Sequence, residues 1–384
     1  MSKLPISTVV EISVAAPQTG LSNYRVNNLA IFTKDAPINV AITKTNPGVY
    51  RSIAAVAADW GVLQSPYVEV ETYAMALAIF AQSPNILSGG GSLIIYPMDS
   101  GDVLVDAMTA LAKLCFFGGA LWCAYAPTDN EVKAAGVWAE ASRKLLFVPR
   151  HLTAALDPGG LFAYLATVDE PHVRALLYTQ EDAAASRIMA AAYASVLMSV
   201  DFEGSLTART MNLKDLTGIV PDENVDTTLL TKCATLGVDV YADVAGLAKV
   251  ISQGANDFAD NVYNLDWFVF ALEVAVFNAL ARTPTKIPQT EIGMAYLKGA
   301  AIGVCDQAVR VGYVAPGQWN SSELFGNPDD LKANVLKQGW YVWSLPVNQQ
   351  NQADREARIA PLIQIAIKLA GAVHTASVVV NVNP

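Results

Sequence analysis

The sequence predicts an α/β protein (mixed α+β) in which helices pack on mixed sheets and extended strands lie at both termini. From Lys144 onward, short apolar segments alternate with helical ones, as in sheets whose strands are joined by crossover helices. Two long apolar helices follow, one over Phe268 to Leu280 and one from Thr290 to Gly312. Both ends of the chain show the period-two alternation that is typical of β-strands.

The N-terminal part begins with strand patterns and continues with helices. Residues Ile6 to Val14 alternate, so that Val10, Ile12 and Val14 share one face of a strand. Further strands are predicted at Leu29 to Phe32, Asn39 to Thr43, Leu93 to Tyr96 and Ala120 to Tyr125. Helices are predicted at Arg51 to Trp60, Val70 to Gln82, Val103 to Leu114 and Glu131 to Ser142. The glycines of Ser88 to Ser92 precede a strand and lack a following Lys-Ser/Thr pair, which favours a plain turn over a phosphate loop.

The middle of the chain shows the strand–helix alternation most clearly. Strands are predicted at Leu145 to Val148, Val173 to Tyr178 and Val238 to Tyr241. The segments Leu161 to Ala166, Ala183 to Met198 and Thr227 to Leu236 lie between them. This order predicts a sheet with crossover helices.

Two helices dominate the next segment. Residues Phe268 to Leu280 are apolar except for two positions, which predicts a helix that is buried on nearly all sides. Thr290 is the predicted N-cap of the second helix, which ends at Gly312. That helix contains Gly293, Gly299 and Gly303, each of which costs about 1 kcal/mol relative to Ala in an exposed helix. We therefore expect a neighbouring backbone to approach closely at these glycines.

Strand patterns return at the C-terminal end. Asn327 caps a short helix, and Trp340 to Leu345 reads as a strand. Ile363, Ile365 and Ile367 occupy alternate positions, which predicts a second strand. In the last segment, Ser377 to Val382, one strand face carries Val378, Val380 and Val382. Each terminal strand can pair within its own domain or extend the sheet of a neighbour, and the residues alone leave both open.

Composition points to burial between subunits. Of the 384 residues 53% are hydrophobic and 16% are charged, and the mean hydropathy is +0.31, so the chain has more apolar surface than one compact domain needs to hide. A membrane span needs about 20 apolar residues in a row, and the best candidate is interrupted by Glu273 and bounded by Asp266 and Arg282. We expect no membrane span. The net charge of −10 argues against a nucleic-acid partner, because phosphate binding requires clustered Lys and Arg. The first residues lack an apolar signal core, which predicts synthesis and retention in a cytoplasm.

The residue patterns of catalysis and metal binding are not found. None of the three histidines has the His-x-x-x-His spacing of a metal site. Asp257, Asp260 and Asp266 form the only dense acidic cluster, and it lacks the Gly and the final Glu of an EF-hand loop. Helix capping explains it more simply than Ca²⁺ binding. The four cysteines are widely spaced, which predicts buried thiols in a reducing compartment. We predict no catalytic, cofactor-binding or metal-binding residues and no enzyme activity.

Several segments resemble one family in the same order along most of the chain. They are Ala57 to Gly61, Tyr73 to Pro84, Met211 to Ile219, Ala255 to Asp260, Leu265 to Trp267, Ile287 to Gly293, Ala315 to Trp319 and Ala370 to His374. In this order they resemble the sheath proteins of contractile bacteriophage tails. No single segment is a chemical signature, so the specificity lies in their order.

The resemblance implies a virion structural subunit that forms stacked hexameric rings around a tail tube and contracts to drive the tube through the host envelope. Its implied partners are other copies of itself, the tail tube protein, and baseplate and tail terminator proteins, with assembly in the host cytoplasm. No cofactor is implied. The arms that carry Val10, Ile12, Val14, Val378, Val380 and Val382 would extend neighbouring sheets by β-augmentation. The receiving strand would contain Ile363, Ile365 and Ile367.

The chain is expected to divide into an N-terminal β arm (1–20), an N-terminal α/β part (21–143), a central α/β part with buried helices (144–330) and a C-terminal part (331–384). Two alternative functions stay open at this point. One is a different tail component, such as a tube or baseplate protein, and the other is an enzyme with an unrecognised site.

Overall fold

Strands of one large mixed sheet form the centre of the computed structural model, which describes residues 25–64, 68–254 and 257–374. The strands in this part of the chain are β1 (Leu29–Thr33), β2 (Gly48–Tyr50), β3 (Leu63–Gln64), β4 (Val68–Glu69), β5 (Leu93–Pro97), β6 (Gly119–Cys123), β7 (Leu145–Arg150), β8 (Val173–Leu177), β9 (Asp239–Val244), β10 (Leu247–Ile251), β11 (Trp340–Ser344) and β12 (Ile363–Ile367). The large sheet has the order β10-β9-β8-β7-β6-β1-β5-β2, and β3-β4 and β11-β12 form two small sheets.

The large sheet is parallel at its centre and antiparallel at its edges. The six strands from β9 to β5 run parallel, while β10 and β2 lie antiparallel to their neighbours. The parallel strands are buried on both sides; every residue of β1, β6 and β8 is buried. Such strands need helices on both faces. The predicted α/β class is therefore confirmed.

Helices cover both faces of this sheet. The helices in the described part of the chain are α1 (Ile53–Trp60), α2 (Glu71–Ala81), α3 (Leu104–Leu114), α4 (Asp129–Ser142), α5 (Leu161–Leu165), α6 (Ala183–Leu197), α7 (Thr227–Leu236), α8 (Ala259–Ala281), α9 (Glu291–Val311), α10 (Pro328–Gln338) and α11 (Gln352–Glu356). One core contains Ile31, Phe147 and residues of α2, α6 and α8. The other contains Phe32, Val148 and residues of α3, α4, α5 and α7. The switch of face between Ile31 and Phe32 follows from the two-residue period of a strand.

Local signals explain where several helices begin and end. The Thr128 side chain accepts a hydrogen bond from the Glu131 backbone N–H, and the Glu131 carboxylate accepts one from the Thr128 N–H, so that α4 starts with a capping box. The predicted cap Thr290 accepts from the Gly293 N–H at the start of α9. Gly312, with φ +92°, ends α9 as predicted.

One predicted strand is wrong. Residues 39–43 form a turn, in which the Asn39 side chain accepts a hydrogen bond from the Ala41 N–H, and the edge strand lies further on, at β2. In this turn Val40 is 93% exposed, so the apolar side chains of the segment do not form the buried face of a strand. The other predicted strands and helices that fall within the described residues are found. α8 begins at Ala259, well before the predicted Phe268, and the remaining ends differ by a few residues. The predicted strands at Ile6 to Val14 and Ser377 to Val382 lie outside the described residues.

The predicted division of the chain stays a prediction. The large sheet runs across the expected boundary at residues 143 and 144, because β6 and β7 pair directly through Gly119–Leu145 and Ala120–Leu146. The residues from α8 onward form a separate layer, with the α8–α9 hairpin, α10 and the β11–β12 sheet packed on one another.

The structure corrects the expected burial of α8. Residues 259–268 are mostly buried, but from Val269 onward most side chains are only half-buried, and Phe277 and Leu280 are 49% and 55% exposed. The physical reason is that α8 runs off the large sheet after its first half and then packs mainly on α9. The expectation for the glycines of α9 is confirmed only at Gly293.

Within the described residues, a Cβ on Gly293 would lie 1.9 Å from the carbonyl oxygen of Pro288. Gly299 and Gly303 face open space instead. No backbone within the described residues approaches Gly299 or Gly303 closely, so the expectation is wrong for these two glycines within a single chain.

Candidate assembly surface

The β11–β12 sheet has two strands, so within the described residues the outer edge of each has no strand partner. Trp340 lies opposite Ile367, and Ser344 lies opposite Ile363, in antiparallel register. Along the other edge of β12, residues 363–367 have no backbone hydrogen-bond partner within the described part of the chain. An unpaired edge of this kind can accept a further strand through main-chain hydrogen bonds.

The side chains of β12 fix the strand firmly on the body. Ile365 and Ile367 pack on the core that contains α8 and α9, and Ile363 packs beside Val347. Ala366 points to the opposite face, where it is buried against Leu331 and Val335 of α10. Both faces of β12 are therefore packed against other elements, and its outer edge is left for a further strand.

The end of the α8–α9 hairpin is a second exposed apolar feature. We call residues 276–296 the hairpin tip. Phe277, Leu280, Ile292 and Tyr296 are 49%, 55%, 80% and 53% exposed there. A small core joins the tip to β12: Ala279, Met294, Leu297 and Val347 are buried there, and Ile363 of β12 packs against them. Large apolar side chains exposed together at one end of a hairpin are typical of protein–protein contact sites.

Aromatic contacts anchor the first half of α8 to the large sheet. The Trp267 and Phe202 rings stack with their centroids 4.4 Å apart and an interplanar angle of 4°. Phe270 meets Phe116 edge to face at 5.1 Å. These contacts tie the first half of α8 to the segments that follow α6 and α3.

A buried histidine adds an ionic connection at the same junction. His172 Nδ1 lies 2.7 Å from Glu140 of α4, and its Nε2 lies 3.0 Å from Asp266 of α8. Burial acts to lower the pKa of His172, but the two carboxylates outweigh it and raise the pKa above its usual value. The His172 side chain therefore links α4 to α8. From the sequence, the histidines were considered only as possible metal ligands, so this role of His172 was not predicted.

The described residues offer little for catalysis or metal binding. Among them, no group of three or more His, Cys, Asp or Glu side chains is placed to hold a metal ion. Asp257 caps its own turn through the Phe258 N–H and Asn261, whereas Asp266 binds His172, so the acidic cluster does not converge. Burial raises the pKa of Cys115, Cys233 and Cys305, which keeps these thiols protonated.

α8 has the length and composition of a membrane-spanning helix. Within the described residues it is the one helix long and apolar enough to cross a membrane, on length and composition alone. A core helix passes the same test. The contacts of Trp267 and Asp266 place the first half of α8 in the protein interior.

The predicted site residues divide into two groups. Ile363, Ile365 and Ile367 form one strand with an open edge, and their role as the receiving strand stays a prediction. The arm residues Val10, Ile12, Val14, Val378, Val380 and Val382 lie outside the described residues.

Comparison with known proteins bears on this C-terminal region. Residues 259–382 match a family model described as "E217 tail sheath protein gp31-like, C-terminal domain". The match begins at the first residue of α8 and includes the hairpin tip and the β11–β12 sheet. The resemblance to contractile tail sheath proteins is confirmed. The exposed hairpin tip and the open edge of β12 both lie in this matched region.

A solved structure extends the likeness to the whole fold. A chain from the "Cryo-EM structure of the anti-feeding prophage (AFP) baseplate, 6-fold symmetrised" aligns over 100% of both chains with a TM-score of 0.62. The sequence identity is 13%, so this likeness shows a shared fold alone. No curated protein matches the sequence. The match of residues 259–382 to the tail sheath family model supports a structural protein of a phage tail.

Proposed function

We propose that this protein is the subunit of a contractile tail sheath. It polymerises as stacked hexameric rings around a tail tube, and contraction of the rings drives the tube through the host envelope. The observation that carries the proposal is the open edge of β12, which lies inside the segment that matches the sheath family.

In this proposal the terminal segments are the connections between subunits. The alternating residues Val10 to Val14 and Val378 to Val382 have the pattern of strands that can pair with β12 of a neighbour. Backbone hydrogen bonds supply affinity, and the alternating side chains set the register. A contact in which one subunit gives a strand and the next receives it is heterologous, so it builds a ring where the rotation closes and a helix where it does not.

The proposed partners are other copies of the chain, the tail tube protein, and baseplate and terminator proteins. The protein would be assembled in the host cytoplasm and act in the virion. It would need no cofactor and would catalyse no reaction. A baseplate component is the second candidate, because the solved structure with the shared fold is described as a baseplate.

Electron microscopy of the purified, concentrated full chain, with no other tail component present, tests the proposal. A sheath subunit is expected to form long hollow tubes with regular cross-striations. Closed small rings at every concentration and salt condition would instead favour a baseplate role.

Two truncations test the arm. Removal of residues 377–384 should leave a folded subunit that no longer polymerises, because the strand that pairs with β12 is gone. Removal of only Asn383 and Pro384 is the matched control and should leave polymerisation intact. Tubes formed by the longer truncation would contradict the arm mechanism, whatever the microscopy of the full chain shows.

A further inference from the structure

A basic pocket lies at the amino ends of β1 and β5. Its volume is about 580 Å³, and four cationic side chains line it: Arg25, Arg51, Lys113 and Lys144. No acidic side chain lies among the lining residues. This is unusual in a chain whose net charge is −10.

One asparagine holds the walls of this basic pocket together. Asn28 Nδ2 donates to the carbonyl oxygen of Phe116 at 3.0 Å, and its Oδ1 accepts from the Ser92 N–H at 3.0 Å. The segments before β1, before β5 and after α3 are thereby tied to one another. The pocket is a built feature and not a chance grouping of surface side chains.

Lys144 forms the floor of the basic pocket. Its side chain is nearly buried, with the residue 6% exposed, and its ammonium lies 3.4 Å from the ring centroid of Phe116 and 5.1 Å from that of Phe270. Within the described residues, none of the four cations has a carboxylate within 4.0 Å. Burial lowers the pKa of Lys144 to about 7, and the charge of Asp266 offsets part of that effect. A bound anion would stabilise the ammonium form.

We propose that the basic pocket receives a carboxylate side chain from an acidic segment of a second copy of this chain. The inference rests on the proposed function, in which the chain assembles with itself. The occupant is inferred from charge complementarity. Four of the chain's cationic side chains lie in the pocket, so the rest of the chain carries a net charge more negative than −10. A neighbouring copy therefore presents a mainly acidic surface to the pocket. Val49, at 60% exposure on the edge strand β2, adds an apolar wall beside the cations. The carboxylate would lie between the exposed guanidinium of Arg51 and the buried ammonium of Lys144.

The test compares Arg51→Glu with Lys232→Glu in the full chain. Both residues are exposed and both substitutions change the net charge equally, but Lys232 lies on α7, outside the lining of the pocket. Sedimentation at fixed ionic strength gives the protein concentration above which polymers form. We expect Arg51→Glu to raise it about tenfold or more, and Lys232→Glu to leave it nearly unchanged. Equal effects of the two substitutions would overturn the proposal.

A second measurement uses triglutamate and inorganic phosphate as probes. Triglutamate should bind the unassembled wild-type chain in titration calorimetry, and binding should be lost in Arg51→Glu and retained in Lys232→Glu. If the full chain never polymerises, the proposed function fails, and this binding experiment still decides whether the pocket takes carboxylates. Phosphate binding without any effect of Arg51→Glu on assembly would identify a free-anion site and overturn the role of a second copy.

Lys144→Met provides a further variant at the floor of the pocket. Methionine keeps the apolar contacts with the phenylalanine rings and removes the charge, so the fold should be retained, as thermal unfolding can verify. Triglutamate binding should weaken in this variant. Unchanged binding would overturn the assignment of Lys144 to the site.

Discussion

Replacement of His172 by Gln tests whether a charged imidazolium joins the large sheet to α8. Glutamine has nearly the same reach but no charge, so the substitution removes the two ion pairs and leaves the surrounding packing in place. The Asp266 side chain, at 7% exposure, would then lack a cationic partner, whereas Glu140, at 32%, can regain water. Removal of one member of a buried ion pair costs about 3–5 kcal/mol, and the solvent access of Glu140 favours the lower end, about 3 kcal/mol.

The sign of the pH dependence follows from the raised pKa. The unfolded chain titrates this histidine near its usual pKa of 6.5, and the folded chain titrates it at higher pH. The stabilisation is therefore fully present below the unfolded pKa, and it is lost as the pH rises through the folded pKa. The stability difference between wild type and His172→Gln should be largest at about pH 5.5 and should shrink toward about pH 9.

Urea unfolding at low protein concentration measures this difference, with circular dichroism as the signal. His151→Gln is the control, because His151 forms no ion pair within the described residues, and its effect should be small at both pH values. A stability gap for His172→Gln that is the same at both pH values would refute the charged pair. It would mean that His172 acts as a neutral hydrogen-bonding residue.

Three further predictions concern the α8–α9 hairpin. Trp267→Ala should reduce the free energy of unfolding by about 3–5 kcal/mol in urea titrations, since it removes a buried, stacked ring; a loss below 1 kcal/mol would contradict the anchoring role. Gly293→Ala should destabilise the chain by about 1–3 kcal/mol because the new Cβ meets the Pro288 carbonyl, while the matched change Gly299→Ala, which faces open space, should stabilise it by up to about 1 kcal/mol. The reverse order in thermal unfolding would refute this assignment. Ile292→Ser should leave unfolding unchanged and weaken polymerisation in sedimentation, since Ile292 is 80% exposed in the single chain; unaffected polymerisation would remove the hairpin tip from the interface.

Most of the fold could be predicted because its signals are local. The capping side chain of Thr290 and the terminal Gly312 mark the ends of α9, and alternation marks β12. The segment 39–43 was misread because two apolar side chains in a turn mimic a strand over so short a span. Asn39, which bonds to the backbone two residues on, was the signal for a turn.

The ionic junction and the basic pocket could not be predicted in this way. His172 lies 32 positions from Glu140 and 94 positions from Asp266, and no spacing rule links residues that far apart. The cations of the basic pocket come from four separate segments between Arg25 and Lys144. Such clusters can be recognised only once the sheet order is known, because the sheet brings the amino ends of β1 and β5 side by side.

The misjudged burial of α8 carries information of its own. A helix that is apolar on all faces was expected to be buried on all faces, yet its second half is exposed or half-exposed in the single chain. Exposed Phe277 and Leu280 would be a liability in a protein that stayed monomeric, since uncovered apolar surface promotes aggregation. The same argument applies to the open edge of β12. Both features lie in the segment that matches the sheath family. A neighbouring subunit would cover the exposed side chains of α8 and pair with the edge of β12. The apolar pattern of this sequence is therefore better matched to an assembled protein than to the isolated chain.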